Sequence, residues 1–283
     1  MLLSVDNLIS SVSPLDDTVF KKLLENPESF RLLAEAILGS PLPEGEISDI
    51  PGEYVAFSGG KTIRMDSFRN TPLGVVNLEV QRDAKKFIFK RHLYYWAAAY
   101  MSSLRKGQEY EMLRPAISIV FYESKPDAAW KEEASLSGSL VLGEGQLLNL
   151  IAINTAKWQD APNVIVQQYL SLLHNGTLNK KNRSKFTGVD TSSTSFIDMD
   201  RRIRLASVEI KYDESVRKGD KTMAAELYKY LTAEEVAKTE AKTETKTINV
   251  IKLFMQMKSS EEIAKALNIP LEKVNKLRKD WEG

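Results

Sequence analysis

Three polar side chains near the end of the first third of the chain have the types and the spacing of a metal site. Asp66, Glu79 and Gln81 follow the pattern D-x(12)-E-x-Q, in segments that alternate apolar and polar residues as strands do. Because alternate residues of a strand lie on one face, Glu79 and Gln81 share a face with Asn77. A four-residue turn over 71–74 would place position 66 opposite position 79, with β-carbons about 5 Å apart, whereas a longer turn would shift that register.

Two carboxylates that face each other repel, and the cost to stability is relieved when a cation lies between them. A divalent cation would lower the pKa of a bound water and neutralise charge on a phosphate. The backbone carbonyl of Val80 would add a third oxygen ligand. The chain has no cysteine and only two histidines, His92 and His174, which excludes zinc ribbons, thiol nucleophiles and multi-histidine sites. We therefore expect oxygen ligands and a hard ion, magnesium or manganese.

The elements that carry this pair can be predicted from the surrounding pattern. Strands are predicted at 61–69 and 75–81, and the turn-forming residues 70–74 join them as a hairpin. A long helical pattern covers 84–105, with aromatic and small residues at helical spacing. The β-branched and aromatic residues of 116–122 predict a buried strand.

Flanking segments complete the predicted core. Residues 16–38 show two apolar helical stripes that Asn26-Pro27 separates, and the proline- and glycine-rich residues 41–60 indicate a loop. A further strand is predicted at 147–155 and a further helix at 162–174. The order helix, strand, strand, helix, strand predicts a mixed α/β fold, in which helices flank a central mixed sheet.

The second half of the chain is more polar. Residues 176–204 are basic and rich in serine and threonine, which indicates an exposed loop or a flexible contact surface. Residues 233–247 have almost no large apolar side chain, which is typical of a linker or a solvated helix. Residues 248–281 return to helical periodicity, and Ser259 with Glu262 forms a capping-box signature. This helix-turn-helix-like unit is equally consistent with DNA binding and with packing between copies of the chain.

The ordered set of segments resembles the PD-(D/E)xK nuclease-family transposases, which include the recombination-promoting nucleases of bacteria. The segments that carry the resemblance are SPLDDTVFKKLLENPESFRLLAEAIL, IRMD, VVNLEVQ and KRHLYYWAAAYMSSLRKGQEYEMLRPAISIVF. They cover roughly residues 13–125, with a weaker match in the charged linker and the C-terminal helices. The resemblance implies a restriction-endonuclease-like core with a central mixed sheet and flanking helices.

The resemblance also implies roles for the site residues. In such nucleases an aspartate and a glutamate hold the metal, which implies Asp66 and Glu79. The third signature position is usually lysine, and Gln81 takes that place here. Glutamine is neutral and cannot act as a base near pH 7, so Gln81 would orient the attacking water while another residue supplies positive charge. Lys21 and Arg91 are the candidates for that charge.

Two further helices would contribute by the same resemblance. The first helix would lie beside the strand pair, so that Asp17, one turn before Lys21 and on the same face, touches the metal or its water. An ordinary exposed ion pair is an equally good interpretation of Asp17 and Lys21. Arg91, Tyr94 and Tyr95 on the long helix would contact the DNA backbone, although aromatic residues at helical spacing usually pack in a core.

A second E-x-K pattern occurs at residues 209–211, with aspartates at 198 and 200 upstream. Residues 199–215 are dense in charge and predict an amphipathic helix, in which the side chains of 209 and 211 would diverge. No hairpin turn separates this pattern from the two aspartates. We therefore rank it well below the first site.

The resemblance implies a magnesium- or manganese-dependent DNA endonuclease that hydrolyses phosphodiester bonds with low sequence specificity, linked to recombination or mobile DNA. The alternative is a catalytically degenerate nuclease fold that binds DNA or a protein. A weaker third option is an adaptor or inhibitor that docks through the basic residues 179–204. A net charge of +1 means that DNA contacts must come from local patches.

We expect three parts in the chain: a nuclease-like domain over 1–232, a charged linker or solvated helix over 233–247, and a C-terminal helical unit over 248–283. The C-terminal helices would also be the means of forming a homo-oligomer. The N-terminus has no early basic residues and no long apolar core, unlike a signal peptide, and no stretch has the length of a membrane span. We therefore expect a cytoplasmic, bacterial protein without a membrane partner.

Overall fold

The structure is a computed structural model, and it describes residues 8–9, 11–50, 53–55, 62–83, 88–104, 106–123, 128–136, 148–234, 259–267 and 270–282. The chain divides into two compact units, Met1–Asp220 and Lys221–Gly283. The first unit contains the sheet and all of the candidate site residues. Among the described helices, none combines the length and the hydropathy that a membrane crossing requires.

The strands of the first unit are β1 Ser48–Asp49, β2 Glu53–Val55, β3 Thr62–Arg64, β4 Ser67–Thr71, β5 Gly74–Asp83, β6 Ala116–Glu123, β7 Lys131–Leu136 and β8 Leu148–Asn154. Six of them form a mixed sheet in the order β1-β4-β5-β6-β8-β7, and β2 pairs with β3 separately. The central strands β5, β6 and β8 run parallel, while β4 is antiparallel to β5 and β7 is antiparallel to β8. The described part of the chain thus confirms the predicted mixed sheet.

Helices cover both faces of this sheet. They are α1 Asp17–Glu25, α2 Pro27–Leu38, α3 Ile88–Ser102, α4 Val164–Asn175 and α5 Thr194–Lys218. The main core joins α1, α2, α4 and α5 to one sheet face, where β5 contributes Val76, Leu78 and Val80. Val75 instead packs with Tyr95 of α3. Since side chains alternate along β5, Asn77, Glu79 and Gln81 lie on the face that α3 covers.

The sequence explains how α1 and α2 begin and end. The side chain of Asp16 accepts a hydrogen bond from the backbone N–H of Thr18 and caps α1. Asn26 caps α2 in the same way, with Pro27 in the first turn. The predicted helix pair with a break at Asn26-Pro27 is therefore confirmed.

The hairpin of β4 and β5 has the register that a four-residue turn predicts, because Thr71 pairs with Gly74. The Thr71 hydroxyl donates a hydrogen bond of 2.8 Å to the carbonyl of Gly74. Gly74 has a φ of +147°, and a Cβ there would overlap the carbonyl oxygen of Pro115. Glycine is thus required where β5 begins beside the residue that precedes β6.

The single strand predicted over 61–69 is wrong. It divides at Met65-Asp66 into β3 and β4, which belong to different sheets. Asp66 leaves the β4–β5 ladder because side chains make its contacts with β5. Its carboxylate accepts a hydrogen bond from the N–H of Val80, and its own N–H donates to the carboxylate of Glu79. The helix predicted over 84–105 is described from Ile88 to Ser102, and residues 84–87 and 105 lie outside the described part.

Other differences lie at the sheet edges and in the basic region. The predicted loop over 41–60 carries the short strands β1 and β2. The edge strand β7 was not predicted, because its polar, largely exposed sequence lacks the apolar alternation of a half-buried strand. The loop interpretation of 176–204 is wrong from Thr194 onward, where Ser193 caps the 25-residue helix α5. The helix predicted over 199–215 is confirmed as part of α5.

In the second unit, α6 covers 221–234, and α7 Ser260–Leu267 precedes α8 Leu271–Glu282. The predicted capping box is confirmed: Ser259 N–H donates to the Glu262 carboxylate at 2.9 Å, and Glu262 N–H donates to the Ser259 hydroxyl at 3.2 Å. The helix predicted around 248–255 and the linker residues 235–247 lie outside the described residues.

Candidate active site

Reciprocal hydrogen bonds hold the two predicted carboxylates together where β4 leaves the hairpin. The N–H of Val80 donates to Oδ2 of Asp66 at 2.9 Å, and the N–H of Asp66 donates to Oε2 of Glu79 at 3.1 Å. The side chains of Asp66 and Glu79 are only 5% and 1% exposed. The backbone thus fixes two buried carboxylates next to each other.

Lys21 brings a positive charge to this pair from α1. Its Nζ lies 3.1 Å from Oδ1 of Asp66 and 3.1 Å from Oδ2 of Asp17. Asp17 is exposed, and it lies one helical turn before Lys21. The structure therefore brings Asp17 and Lys21 of one helix together with Asp66, which the sequence places on a separate element.

Arg91 brings a second positive charge from α3. Its Nη1 donates to Oε1 of Gln81 at 2.7 Å, and its Nη2 donates to Oε1 of Glu79 at 3.3 Å. The guanidinium carbon lies 4.9 Å from the centre of the Tyr95 ring. Gln81 and Glu79 thus share one cationic partner.

Burial and charge both act on Glu79. Burial raises the pKa of Glu79, and the charge of Asp66 raises it further, to about 8. The N–H of Asp66, the guanidinium of Arg91 and a hydrogen bond from Asn77 oppose that rise in pKa. Protonation of Glu79 is therefore favoured at pH values where a carboxylate is normally ionised.

The pKa of Asp66 shifts in the same direction. Burial raises the pKa of Asp66 to about 6, against the hydrogen bond from Val80 N–H, and the charge of Asp17 raises it while Lys21 lowers it. Burial lowers the pKa of Lys21, but its contacts with Asp66 and Asp17 outweigh this effect and raise it. The ammonium of Lys21 is therefore charged throughout the physiological range.

The donor set fits a hard divalent cation. Two adjacent carboxylates with raised pKa values hold more negative charge than their surroundings accommodate, and a bound cation would relieve that repulsion. Within the described ranges, no three side chains of the His, Asp and Glu types cluster as a metal site. A cation would thus depend on Asp66 and Glu79, with backbone or water oxygens to complete its shell.

A cavity of about 330 Å³ opens beside Asp66. Its wall includes Lys21, Asp66 and Ser67 from the site region, and Glu25, Asp49 and Arg69 further away. Asp66 and Lys21 are thus reachable from solvent although Asp66 is buried.

Two residues around the pair, Asn77 and His92, have surroundings that the sequence did not reveal. Asn77 is buried, donates to the hydroxyl of Ser118 at 3.5 Å, and also hydrogen-bonds Glu79. His92 is buried, and burial together with the charge of Arg91 lowers its pKa to about 4, so its ring is neutral at pH 7. The strand pattern placed Asn77 on the right face, but no sequence signal shows that His92 faces inward.

Tyr94 and Tyr95 of α3, the two tyrosines predicted to contact DNA, differ in burial. Tyr95 is 7% exposed and packs with Phe68, Val75 and Ala99, while Tyr94 is partly buried against the same cluster. Arg91 is 45% exposed. The Tyr95 ring therefore packs against the Arg91 guanidinium. Of these two side chains, Arg91 is the more exposed to solvent.

The residues of the second E-x-K pattern lie on α5 and form ordinary ion pairs. Glu209 pairs with Lys22 at 2.9 Å, and Lys211 pairs with Glu214 at 2.9 Å. The aspartates upstream pair with arginines one turn later on the same helix. Glu209 and Lys211 thus diverge to different partners, as their helical spacing requires.

Comparison with known proteins found a match to a family model. No curated protein and no solved structure was found to match the chain. The model of the PD-(D/E)XK nuclease family transposase matches residues 14–141. The matched span contains the hairpin, α1 and α3, and a mixed sheet flanked by helices is consistent with that nuclease fold. The paired carboxylates lie within the matched span, so over residues 14–141 the chain is similar to the PD-(D/E)XK nuclease family transposases.

Proposed function

We propose that this protein is a magnesium- or manganese-dependent DNA endonuclease that hydrolyses phosphodiester bonds with low sequence specificity, in recombination or in the movement of mobile DNA. The observation that carries this proposal is the buried Asp66–Glu79 pair, held by reciprocal hydrogen bonds at the end of a hairpin. Burying two adjacent carboxylates destabilises the fold. A metal-dependent hydrolytic site would explain why the chain keeps such a pair. The family match adds support from an independent source.

Asp66 and Glu79 would hold the cation with the carbonyl of Val80, and Asp17 would contact a water of its shell. A bound magnesium or manganese ion supplies a Lewis acid that lowers the pKa of a water and neutralises phosphate charge. Lys21 lies 3.1 Å from Asp66, so its ammonium would stabilise negative charge that develops nearby.

Substrate contacts come from the other side of the hairpin. Gln81 occupies the position where this type of nuclease usually has lysine, and its amide would orient the attacking water. Arg91 and Tyr94 would contact the DNA backbone, and Tyr95 would act through Arg91, because its ring lies under the guanidinium. The substrate would be duplex DNA, recognised through its phosphates and not through its base sequence.

The test is nicking of supercoiled plasmid by the purified full chain, with magnesium or manganese and with a chelator as control. We expect nicking that the chelator abolishes and that Asp66→Ala and Glu79→Gln each lose. Nick sites mapped along the plasmid should show little sequence preference. The absence of nicking over a broad range of salt and pH would refute the proposal, and nicking that survives Asp66→Ala would refute the site.

A second candidate function is a non-catalytic nuclease fold that binds DNA or a protein. It is favoured by the cations that already bind the carboxylates, since Lys21 pairs with Asp66 and Arg91 pairs with Glu79. Such a site would need no metal. A melting temperature that manganese leaves unchanged, together with DNA binding that a chelator leaves intact, would favour this candidate.

We propose a nuclease-like domain over 1–232, a linker or solvated helix over 233–247 and a helical unit over 248–283 that forms a homo-oligomer or binds DNA. We also propose that the protein acts in the cytoplasm, where its DNA substrate would be. Size-exclusion chromatography with light scattering on the full chain tests the oligomer.

A further inference from the structure

Gln81 stands where positive charge is normally supplied, yet its amide carries none. The structure puts a charged group directly on that amide: Nη1 of Arg91 donates to Oε1 of Gln81 at 2.7 Å. Among the interactions of the described side chains, this is the hydrogen bond that links Gln81 to α3. This hydrogen bond commits the amide oxygen of Gln81 to Arg91, which favours a role in positioning Arg91 in place of the water contact that the family resemblance implies.

We propose that Gln81 is a positioning residue whose amide oxygen holds the Arg91 guanidinium against the scissile phosphate, so that the two residues together replace one lysine. This inference rests on the proposed nuclease function and assigns the positive charge of that site. Arg91 would touch the phosphate. Gln81 would act through Arg91.

Three contacts fix the guanidinium. Gln81 binds one terminal nitrogen at 2.7 Å, Glu79 binds the other at 3.3 Å, and the Tyr95 ring lies 4.9 Å below the guanidinium carbon. Tyr95 is itself held in the apolar cluster with Phe68 and Val75. A guanidinium fixed in this way loses little further conformational entropy when it binds a phosphate.

The remaining surface of Arg91 suits a phosphate. A guanidinium has five N–H donors in a planar fork, and two of them serve Gln81 and Glu79. The side chain is 45% exposed, so other donors can reach a ligand. Paired donors of this kind match phosphate oxygens in a bidentate way.

The neutral amide also explains why this arrangement would survive metal binding. A divalent cation on Glu79 would compete for the carboxylate that Arg91 contacts, whereas the amide oxygen of Gln81 is a weak ligand and stays with Arg91. Lys21 cannot serve the same position, because its partners are Asp66 and Asp17. The two cations therefore have separate roles.

The test compares single-turnover nicking rates of the full chain with magnesium at saturating protein concentration. We expect Arg91→Ala to slow nicking about 100-fold, as loss of one preorganised donor does. Gln81→Ala should also slow it, and the double variant should be no slower than Arg91→Ala alone, because coupled residues are not additive. The variant that combines Gln81→Lys with Arg91→Ala should nick at least about tenfold faster than Arg91→Ala alone.

The matched control is Arg82→Ala. Arg82 is an exposed arginine next to Gln81 in β5, and it lines a different groove with Val19 and Lys211. We expect its rate to stay within a factor of about three of the wild type, because surface charge alone changes association modestly. Melting temperatures with and without manganese provide a readout apart from activity, and Arg91→Ala should keep the metal response.

Several results would overturn the inference. They are additive losses for Gln81→Ala and Arg91→Ala, no recovery with Gln81→Lys, or an equal loss for Arg82→Ala. If Asp66→Ala abolishes nicking while Arg91→Ala does not slow it, the nuclease proposal stands and this inference fails. If the wild type never nicks DNA, both fail. Should Arg91→Ala not fold, Gln81→Ala and Arg91→Lys provide the same comparison.

Discussion

The most consequential single residue is Glu79, which is almost fully buried and lies beside a second carboxylate. Both circumstances favour its neutral form and raise its pKa to about 8. Asp66 shifts in the same direction, to about 6. A buried acid pair of this kind stabilises the folded chain when protonated and destabilises it when ionised.

The first prediction concerns pH in the absence of metal. Because the folded pKa of Glu79 lies above its unfolded value of about 4.3, the folded state binds more protons between those two values. The free energy of unfolding should then fall as pH rises from about 4.3 to about 8. Glu79→Gln should reduce this fall and should melt higher than the wild type at pH 8 in chelator. Parallel melting curves for the two proteins would contradict the assignment.

The second prediction concerns metal addition. A cation binds the ionised carboxylates, so its binding releases protons and strengthens as pH rises. Manganese should therefore raise the melting temperature more at pH 8 than at pH 5.5, and Asp66→Ala should lose that response. Glu209→Gln is the matched control, since Glu209 is the carboxylate of the other E-x-K pattern and pairs with Lys22. A response lost in Glu209→Gln and kept in Asp66→Ala would reverse the choice of site.

At the scale of elements, the β4–β5 hairpin sets the site because it determines which residues face each other. Because Thr71 pairs with Gly74, the same register brings Asp66 opposite Glu79. A slip of one residue would turn Glu79 into the apolar core. Gly74 secures that register, since its backbone conformation and its closeness to Pro115 exclude a side chain.

The third prediction compares two glycines with positive φ. Gly39 ends α2 with a φ of +73° and open space around it, so Gly39→Ala should cost about 1–2 kcal/mol through backbone strain alone. Gly74→Ala has strain and an overlap with the Pro115 carbonyl, so it should cost more. Urea unfolding measures both. Gly74→Ala should also weaken nicking by the folded protein, whereas Gly39→Ala should not, and equal costs would contradict the steric argument.

Many of the helices, strands and turns could be predicted from the sequence, because they depend on residues that are close together in the chain. The turn at 71–74 and the break at Asn26-Pro27 depend on residues within a few positions, so local patterns reveal them. The contact of Arg91 with Gln81 depends on how α3 is rotated over the sheet, which long-range packing determines. The break at Asp66 depends on hydrogen bonds to the opposite strand. The edge strand β7 owes its pairing to β8, not to its own pattern.

At the scale of the whole molecule, a net charge of +1 offers no general attraction to DNA, so the proposed DNA binding would depend on local cations. The loop after α4 has exposed basic residues at Lys180, Arg183 and Lys185. Reciprocal hydrogen bonds between Asn179 and Asn182 give this loop a defined shape. It is thus a fixed basic surface on the unit that contains the site.

The fourth prediction uses salt dependence to test this surface. Each phosphate contact contributes about 0.9 to the slope of log affinity against log salt, so replacing Lys180, Arg183 and Lys185 by alanine should flatten the slope by roughly two to three. Replacing Arg217 and Lys218, at the end of α5, is the control for lost charge. An unchanged slope in the triple variant would favour a protein partner for this loop.

The crossed hydrogen bonds of Asp66 and Glu79 have one more consequence. Each carboxylate accepts a hydrogen bond from the opposite strand in place of a backbone carbonyl of the ladder. The same oxygens would therefore both close the hairpin and bind a ligand. A ligand that binds these oxygens must alter the hydrogen bonds that the backbone N–H groups of Asp66 and Val80 donate to them. The amides of Asp66 and Val80 are thus natural spectroscopic reporters, and their chemical shifts and exchange rates should register occupancy of the site even in a variant that cannot cleave DNA.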